Sequence, residues 1–154
     1  LLPTKISIKW PNDILSATQK ICGVLIENSV KKTQVNYSIV GIGLNVNQQV
    51  FENLPQASSM ILGAKTIFDL ESVLIDLMKS IKKYVAILNS EKYELIDTEY
   101  LNQLYKFGVP SMFKIDSKKF MGKIVGVSLQ GKLQVELEDE TIKEYGLKEI
   151  EFLN

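Results

Sequence analysis

The sequence predicts an α+β fold in two parts: a partial mixed or antiparallel sheet with helices on one side, then a small β-barrel. Over residues 6–10 and 40–47, apolar residues alternate with polar residues or glycine, a period of two that is typical of strands. Between residues 69 and 105, apolar residues recur at three- and four-residue steps, as in amphipathic helices. Short alternating runs return after Pro110, and short strands at regular spacing indicate a small barrel.

The first strand is expected over residues 5 to 10, where Ile6, Ile8 and Trp10 alternate with polar residues. Pro11 has no N–H group to donate to a sheet, so the strand should end there. Asn12 and Asp13 would then lie in the turn, with side chains free to bind a ligand.

Two longer strands are expected next, from Lys20 to Glu27 and from Val35 to Asn45, joined by the polar loop 28–34. In the second of them, Gly41 and Gly43 lie on one face, followed by Asn45 and Asn47. Glycine weakens a strand, and its usual justification is a close approach to the backbone. A flat ligand lying on the sheet would explain this pattern. The opposite face is predicted to be core and carries Val40, Ile42, Leu44 and Val46.

Three helical segments are expected. The first is one turn over residues 58–62, with Ser58 as N-cap and Gly63 as its left-handed end. The second begins at the N-cap Asp69, and the third runs from about Glu91 to Tyr105. The third helix is expected to bury Tyr93, Ile96, Tyr100, Leu101 and Leu104.

The change of pattern near Phe107 to Pro110 predicts a boundary between two domains, residues 1–107 and 108–154. In the second domain, Gln130-Gly131 and Asp139-Glu140 read as turns between strands. The expected strands are marked by Phe120 to Val127, Leu133 to Leu137, Ile142 to Tyr145, and Ile150 to Phe152.

Composition excludes several classes of function. The 154 residues include 18 Lys and Arg against 18 Asp and Glu, which argues against a dedicated nucleic-acid binder. There is no histidine, so serine–histidine chemistry and histidine-ligated zinc are excluded. The single Cys22 reads as a small core residue in a reducing compartment.

No apolar run approaches the roughly 20 residues that span a bilayer, and we expect a cytoplasmic protein. The start at Leu1, without methionine, suggests a piece of a longer chain.

Three motifs resemble the catalytic domain of biotin–protein ligases. They are Lys-Trp-Pro-Asn-Asp-Ile (9–14), Lys-Ile-Cys-Gly-Val-Leu-Ile-Glu (20–27) and Gly-Ile-Gly-Leu-Asn-Val (41–46). Their order and the seven-residue step from Asp13 to Lys20 also match. The resemblance extends more weakly to the C-terminus, where the barrel is similar to the SH3-like domain of that family. The glycine- and arginine-rich biotin-binding loop of the family is not found in this sequence.

The resemblance implies a class II synthetase-like catalytic domain that joins biotin to AMP, using ATP and Mg²⁺. It then passes the biotinyl group to a lysine of a biotin carboxyl carrier protein. A homodimer is compatible with the resemblance, and no nucleic-acid or membrane partner is evident in this chain. Some family members carry an N-terminal DNA-binding domain, which this sequence does not decide. We expect the 154-residue chain alone to make little biotinyl-AMP, because the lid over biotin would be missing.

The resemblance also implies roles for individual residues. Lys20 would be the catalytic lysine and stabilise negative charge at the α-phosphate. Asp13, the second catalytic residue, would lie with Asn12 near the metal and phosphates or orient the acceptor lysine. The positions implied to bind biotin or ATP are Asn12, Gly23, Gly41, Gly43, Leu44, Asn45 and Val46. Asn45 would also contact Mg²⁺ through phosphate. Two alternatives stay open: a lipoate ligase or octanoyltransferase, which is related in fold and reaction, and a non-catalytic regulatory or binding module.

Overall fold

The structure, a computed structural model, describes residues 4 to 153. It separates into two compact units, the first ending at Asp97 and the second beginning at Thr98. This division falls inside the third helix, ahead of the change in sequence pattern near Gly108. Each unit is built around its own antiparallel sheet.

The sheet of the first unit contains four strands in chain order, each antiparallel to the next. They are β1 (Ile6–Lys9), β2 (Asp13–Ser16), β3 (Gln19–Lys31) and β4 (Gln34–Leu44). As predicted, β1 ends just before the Trp10-Pro11 pair. The placement of Asp13 in the turn was wrong, because Asp13 begins β2 and pairs with Lys9. A four-residue strand with one polar residue at each end is too short to give a periodic signal.

The hairpin of β3 and β4 is longer than the sequence indicated. Most of the predicted loop 28–34 is strand, and the reversal takes place at Lys32 and Thr33, with Lys32 in the left-handed region at φ 58°. Polar side chains there led to the wrong prediction of a loop. An exposed ribbon accepts such side chains because its stability comes from backbone pairing, supplemented by a 2.6 Å hydrogen bond from Ser38 Oγ to Asn28 Oδ1.

Three helices follow: α1 (Met60–Ala64), α2 (Leu70–Asn89) and α3 (Tyr93–Gln103). The predicted N-cap Asp69 is confirmed, since its Oδ2 accepts a 2.9 Å hydrogen bond from the N–H of Ser72. The predicted ends of α1 were wrong. Ser59 occupies the N-cap position and Lys65, at φ 55°, is the left-handed residue, with its N–H bonded to the carbonyl of Ile61.

The helices have no buried residue in the part of the chain that the structure describes. The prediction that Tyr93 is buried was wrong, whereas Leu104, just beyond α3, is buried. Periodicity identifies which face of an element is apolar, but it does not identify what covers that face. The same holds for β4, whose predicted core residue Val40 is half exposed. No helix between residues 4 and 153 is long and apolar enough to span a membrane.

The second unit contains a five-stranded antiparallel sheet in the order β8-β7-β6-β5-β9. Its strands are β5 (Pro110–Ile115), β6 (Lys118–Val127), β7 (Leu133–Leu137), β8 (Ile142–Tyr145) and β9 (Glu151–Phe152). The sequence missed β5, although Ser111 and Phe113 point inwards at alternate positions. The sheet is open among the described residues, because β8 and β9 form its two edges. The expected closed barrel is therefore not confirmed.

The core of the second unit is centred on Phe113. Its side chain is fully buried, with ring centroids of Phe120 and Phe152 at 5.8 and 5.4 Å. The other fully buried apolar residues of this unit are Ile124, Leu133 and Val135. Phe113 therefore joins β6 to the short edge strand β9 through side-chain packing as well as through backbone pairing.

Replacing Phe113 with Ala should lower the free energy of unfolding by about 3–5 kcal/mol, because a large buried ring leaves a cavity that cannot collapse completely. Chemical denaturation followed by circular dichroism measures the change. Leu129→Ala is the matched control in the same unit, since that side chain is 99% exposed. Equal stability of the two variants would contradict the packing described here.

Candidate functional site

A row of four residues crosses the first sheet on one face. Lys9 lies opposite Asp13, Asp13 opposite Gly23, and Gly23 opposite Gly43. Directly opposed residues in antiparallel strands project to the same side of a sheet. Gly41, two positions before Gly43, lies on this face as well. The face therefore combines charged side chains on β1 and β2 with bare backbone on β3 and β4.

Lys20 reaches this face because β3 contains a bulge. Ile14 pairs with Cys22 and Leu15 pairs with Lys20, so Ile21 is an extra residue in the ladder. In a regular strand, Lys20 and Gly23 would project to opposite faces, because they are an odd number of positions apart. The extra residue reverses the alternation, and Lys20 thereby joins Asp13 and Gly23 on one side. Bulges frequently re-aim a side chain in this way beside active sites.

Lys20 and Asp13 form an ion pair across β2 and β3, with Nζ and Oδ1 2.6 Å apart. The lysine side chain passes over Gly23: a Cβ atom at that position would lie 3.2 Å from Lys20 Nζ. A side chain at position 23 would therefore crowd the lysine in this position, and it could be accommodated only by a shift of the ammonium group. The side chains of Lys20 and Asp13 stay 47% and 27% exposed, so a ligand on this face can reach the ammonium group.

Gly41 and Gly43 have no comparable explanation inside the described chain. A Cβ atom at either position would meet no atom closer than 3.9 Å, which is ordinary van der Waals contact. Both residues are exposed, and neither has a positive φ angle. Neither packing nor backbone conformation requires glycine at these two positions. The strip of bare backbone remains available to a flat ligand.

The backbone of Lys20 is fixed by the segment that precedes α1. Its N–H donates to the carbonyl of Gln56, and its carbonyl accepts from the N–H of Ser58, both at 2.8 Å. Asn45 belongs to the same network, because its Nδ2 donates to the Ser58 carbonyl at 3.0 Å and its N–H donates to the Ile21 carbonyl at 2.8 Å. The strand end that carries Asn45 and the strand start that carries Lys20 are thus held together.

A cavity of about 410 Å³ lies between these two residues and the segment 48–57. Besides Lys20 and Asn45, its lining consists of Gln48, Phe51, Asn53, Leu54, Pro55, Gln56 and Ala57. The sequence did not predict these wall residues, because the segment is irregular and has no periodic pattern. The alternation of apolar and amide side chains on its wall suits a ligand that has an aromatic part and polar edges.

The remaining predicted site residues are distributed around this centre. Asn12 is exposed, and its carbonyl accepts a 2.8 Å hydrogen bond from the N–H of Val24. Leu44 lies opposite Cys22, so its side chain is on the face away from the glycines. Val46 contributes its carbonyl to the N–H of Ile61 at 3.0 Å. These three positions support the site through the backbone.

Cys22 lies directly behind the ion pair, on the opposite face of β3. Burial raises the pKa of its thiol above the ordinary value; the Lys20 ammonium lowers this pKa and the Asp13 carboxylate raises it, each by less than burial does. The thiol therefore stays protonated at neutral pH, in agreement with the expected role as a core residue. The reactive groups of the site are consequently the ammonium and the carboxylate on the exposed face.

Residues 3–45 match the model of the biotin/lipoate A/B protein ligase family. The chain is 27% identical over 150 residues to the bifunctional ligase/repressor BirA of Bacillus spizizenii, which covers 90% of this chain and 44% of that protein. It is 26% identical over 139 residues to the biotin–[acetyl-CoA-carboxylase] ligase of Paracoccus denitrificans, with 84% and 56% covered. The chain spans about half the length of these curated relatives.

Solved structures give a similar result. The fold resembles the apo biotin protein ligase of Aquifex aeolicus, with a TM-score of 0.75 and 26% identity over 97% of this chain and 65% of that one. It also resembles the Aquifex aeolicus enzyme in complex with biotin and ATP, with a TM-score of 0.74 and 27% identity over 97% and 62% of the two chains.

The thiol of Cys22 should react with iodoacetamide at pH 8 at least ~10-fold more slowly in the folded protein than in guanidinium chloride, because a buried, protonated thiol is a poor nucleophile. The pH at which the folded protein begins to react should also lie above that of the unfolded chain. Mass spectrometry of timed samples measures both rates. Equal rates would contradict the burial of Cys22.

Proposed function

We propose that the chain belongs to the biotin–protein ligase family and provides part of an enzyme which activates biotin with ATP and transfers it to a protein lysine. The observation that supports this most directly is the Lys20–Asp13 pair at the end of an open glycine strip. An ammonium group fixed beside a flat, uncovered surface suits a reaction that develops negative charge on oxygen next to a flat substrate.

Biotin would lie on the strip formed by Gly41 and Gly43, because its fused rings need a surface without side chains. Both positions have room for a Cβ atom within the protein, so their glycines fit a requirement imposed by the ligand. The biotin carboxylate would point towards Gly23 and the Lys20 ammonium group. This orientation places the reacting oxygen beside the cation, where attraction to the carboxylate holds it.

In the first step, a carboxylate oxygen of biotin attacks the α-phosphorus of ATP, and the bond to pyrophosphate breaks. The products are biotinyl-5′-AMP and pyrophosphate. The cavity beside Lys20 and Asn45 would take the adenosine part, with Phe51 and Leu54 on its apolar wall. Lys20 would stabilise the charge that grows on the α-phosphate oxygens, which is worth most when the donor is already in place.

In the second step, the amine of the acceptor lysine attacks the acyl carbon, and the bond to AMP breaks. The acceptor would be a biotin carboxyl carrier protein. Asp13 carries the carboxylate on the exposed face and would orient the incoming ammonium group before it loses its proton. Asn12, exposed in the turn ahead of β2, is placed to contact the acceptor or the nucleotide.

Magnesium would be held mainly by the phosphates of ATP. In the described part of the chain no group of three or more Asp, Glu, Cys or His residues could hold a metal ion. The Nδ2 group of Asn45 donates a hydrogen bond to the Ser58 carbonyl, so the amide oxygen points away from that bond. This oxygen would be available as a hard ligand for Mg²⁺. One amide oxygen plus phosphate oxygens fits the coordination habits of Mg²⁺, which would neutralise phosphate charge there.

The proposal extends to the domains of the protein, its location in the cell and its oligomeric state. Residues 1–107 would form part of the catalytic domain, and residues 108–154 an SH3-like C-terminal domain, for which the open five-stranded sheet is the supporting observation. The protein would act in the cytoplasm, where a free Cys22 is stable and carrier proteins are made. A homodimer remains part of the proposal.

Lipoate is the alternative acid, because the matching family model includes both biotin and lipoate ligases. The full-length protein should catalyse exchange of labelled pyrophosphate into ATP when biotin is added. Lipoate or octanoate in place of biotin should give little exchange. Exchange with lipoate alone would identify a lipoate ligase, and no exchange with any acid would favour a binding or regulatory module.

Lys20→Ala in the full-length protein should reduce biotin adenylation by a factor on the order of 10²–10³, the usual loss for one preorganised donor. Lys20→Arg should not restore the rate fully, because a planar guanidinium cannot replace a compact ammonium group. Lys31→Ala and Lys32→Ala, at the far end of the β3–β4 hairpin, are the controls. An active Lys20→Ala protein, or one that is inactive only because it is unfolded, would refute the assignment.

Gly43→Ala should separate stability from binding. The added methyl group fits without a clash and should stabilise the strand by about 0.5–1 kcal/mol, because alanine loses less backbone entropy than glycine. It would nevertheless occupy the surface proposed for biotin, and a misfit of ~1–3 kcal/mol corresponds to a roughly 5- to 150-fold higher KM for biotin. Thermal melting and exchange kinetics measure the two effects, with exposed Asn36→Ala as the control on β4.

A further inference from the structure

The two asparagines that follow the glycine strand have different surroundings. Asn45 uses its Nδ2 atom for Ser58. Asn47 uses both polar atoms on a single residue: Nδ2 donates to the carbonyl of Phe68 at 2.7 Å, and Oδ1 accepts from the N–H of Phe68 at 3.0 Å. Alternation along the strand predicts the same position for both residues, at the ligand end of the glycine face. The structure assigns Asn47 to a contact with the backbone.

The Asn47–Phe68 contact closes an excursion of the chain that contains the whole irregular wall of the cavity, residues 48–57, and then α1. Within this excursion, Ser59 is fully buried, and its Oγ donates to the carbonyl of Gln48 at 2.5 Å. The wall is therefore tied at its first residue by Ser59. Phe68, which lies beyond both the wall and α1, is tied back to the strand by Asn47.

The same wall is bonded to Lys20. Gln56 and Ser58 hold the backbone N–H and carbonyl of Lys20, so a displacement of the wall would displace the lysine as well. A two-bond amide contact restrains rotation about the side chain as well as distance, which a single hydrogen bond does not. The Asn47–Phe68 contact is therefore one of the ties that hold the excursion with the cavity wall against the strand, although Asn47 is not among the residues that line the cavity.

We propose that Asn47 is a positioning residue for the nucleotide. This inference rests on the proposed function, because it takes the cavity to be the site of the adenosine part of ATP. Asn47 acts through Phe68 and the wall, without contact with substrate. Only an amide of this length supplies one donor and one acceptor to the carbonyl and the N–H of the same residue. Aspartate keeps the acceptor but loses the donor, and it places a carboxylate beside the Phe68 carbonyl.

The test compares Asn47→Asp and Asn47→Ala with the full-length protein in biotin-dependent ATP–pyrophosphate exchange. Both variants should raise the KM for ATP about tenfold, equivalent to roughly 1.4 kcal/mol, as expected for loss of one to two hydrogen bonds. The KM for biotin should rise less than the KM for ATP, because Gly41 and Gly43, the surface proposed for its rings, do not depend on the wall. Asn36→Asp introduces the same charge on an exposed position of β4 and should leave both constants unchanged.

A pH series separates positioning from a general loss of structure. When the carboxyl group of Asn47→Asp is protonated, its O–H can again donate to the Phe68 carbonyl. The ratio of this variant's KM for ATP to that of the unmodified protein, measured at the same pH, should therefore fall towards one as pH is lowered from about 7.5 to about 5, because the protonated form is a donor and the charged form is not. Asn47→Ala should show no such recovery.

The possible results distinguish a failure of the proposed function from a failure of the role of Asn47. No biotin-dependent exchange in the unmodified protein would overturn the proposed function and the nucleotide assignment with it. Exchange in the unmodified protein with normal ATP constants in both Asn47 variants would overturn only the role of Asn47. Equal increases in the constants for ATP and biotin, together with a lower melting temperature and no pH recovery in Asn47→Asp, would also overturn it, because these results describe a purely structural residue.

Discussion

The extra residue in β3 is the constraint on which the candidate site depends. If Ile21 were not an extra residue in β3, Lys20 would project to the same face as Cys22. Its ion pair with Asp13 could then not form. The glycine at position 23 leaves room for the same geometry, since the lysine crosses directly above it. One local irregularity in backbone pairing therefore determines where the cation lies, which residue pairs with it and at which neighbouring position a side chain would crowd it.

Sequence patterns predicted the features that depend on local chemistry. The end of β1 before Pro11, the cap at Asp69 and the turn at Gly131 each follow from the conformation or hydrogen bonding of one residue, and the structure contains all three. The glycine strip was equally visible, because alternation in a strand assigns each residue to a face. These predictions needed no knowledge of distant partners.

Features that depend on pairing between strands could not be predicted in this way. The identity of residues 20–23 does not predict a bulge, because the bulge arises from the register in which β3 pairs with β2. The short β2 and the first strand of the second unit, β5, were missed for the same reason: each is defined by its pairing with a longer neighbour, β3 and β6 respectively. The wall 48–57 has no regular period, and Asn47 could not be separated from Asn45 until the position of Phe68 was known.

The pairing of β2 with β3 also bears on how such a site tolerates change over evolutionary time. Side chains can be exchanged at many positions between Asp13 and Lys20 while the two charged groups still meet. An insertion or deletion of a single residue there would instead invert the facing of every later residue in one strand relative to its neighbour. The length of this short segment is therefore under stricter constraint than its composition, and changes in length should be far rarer than substitutions among proteins that keep the Lys20–Asp13 pair.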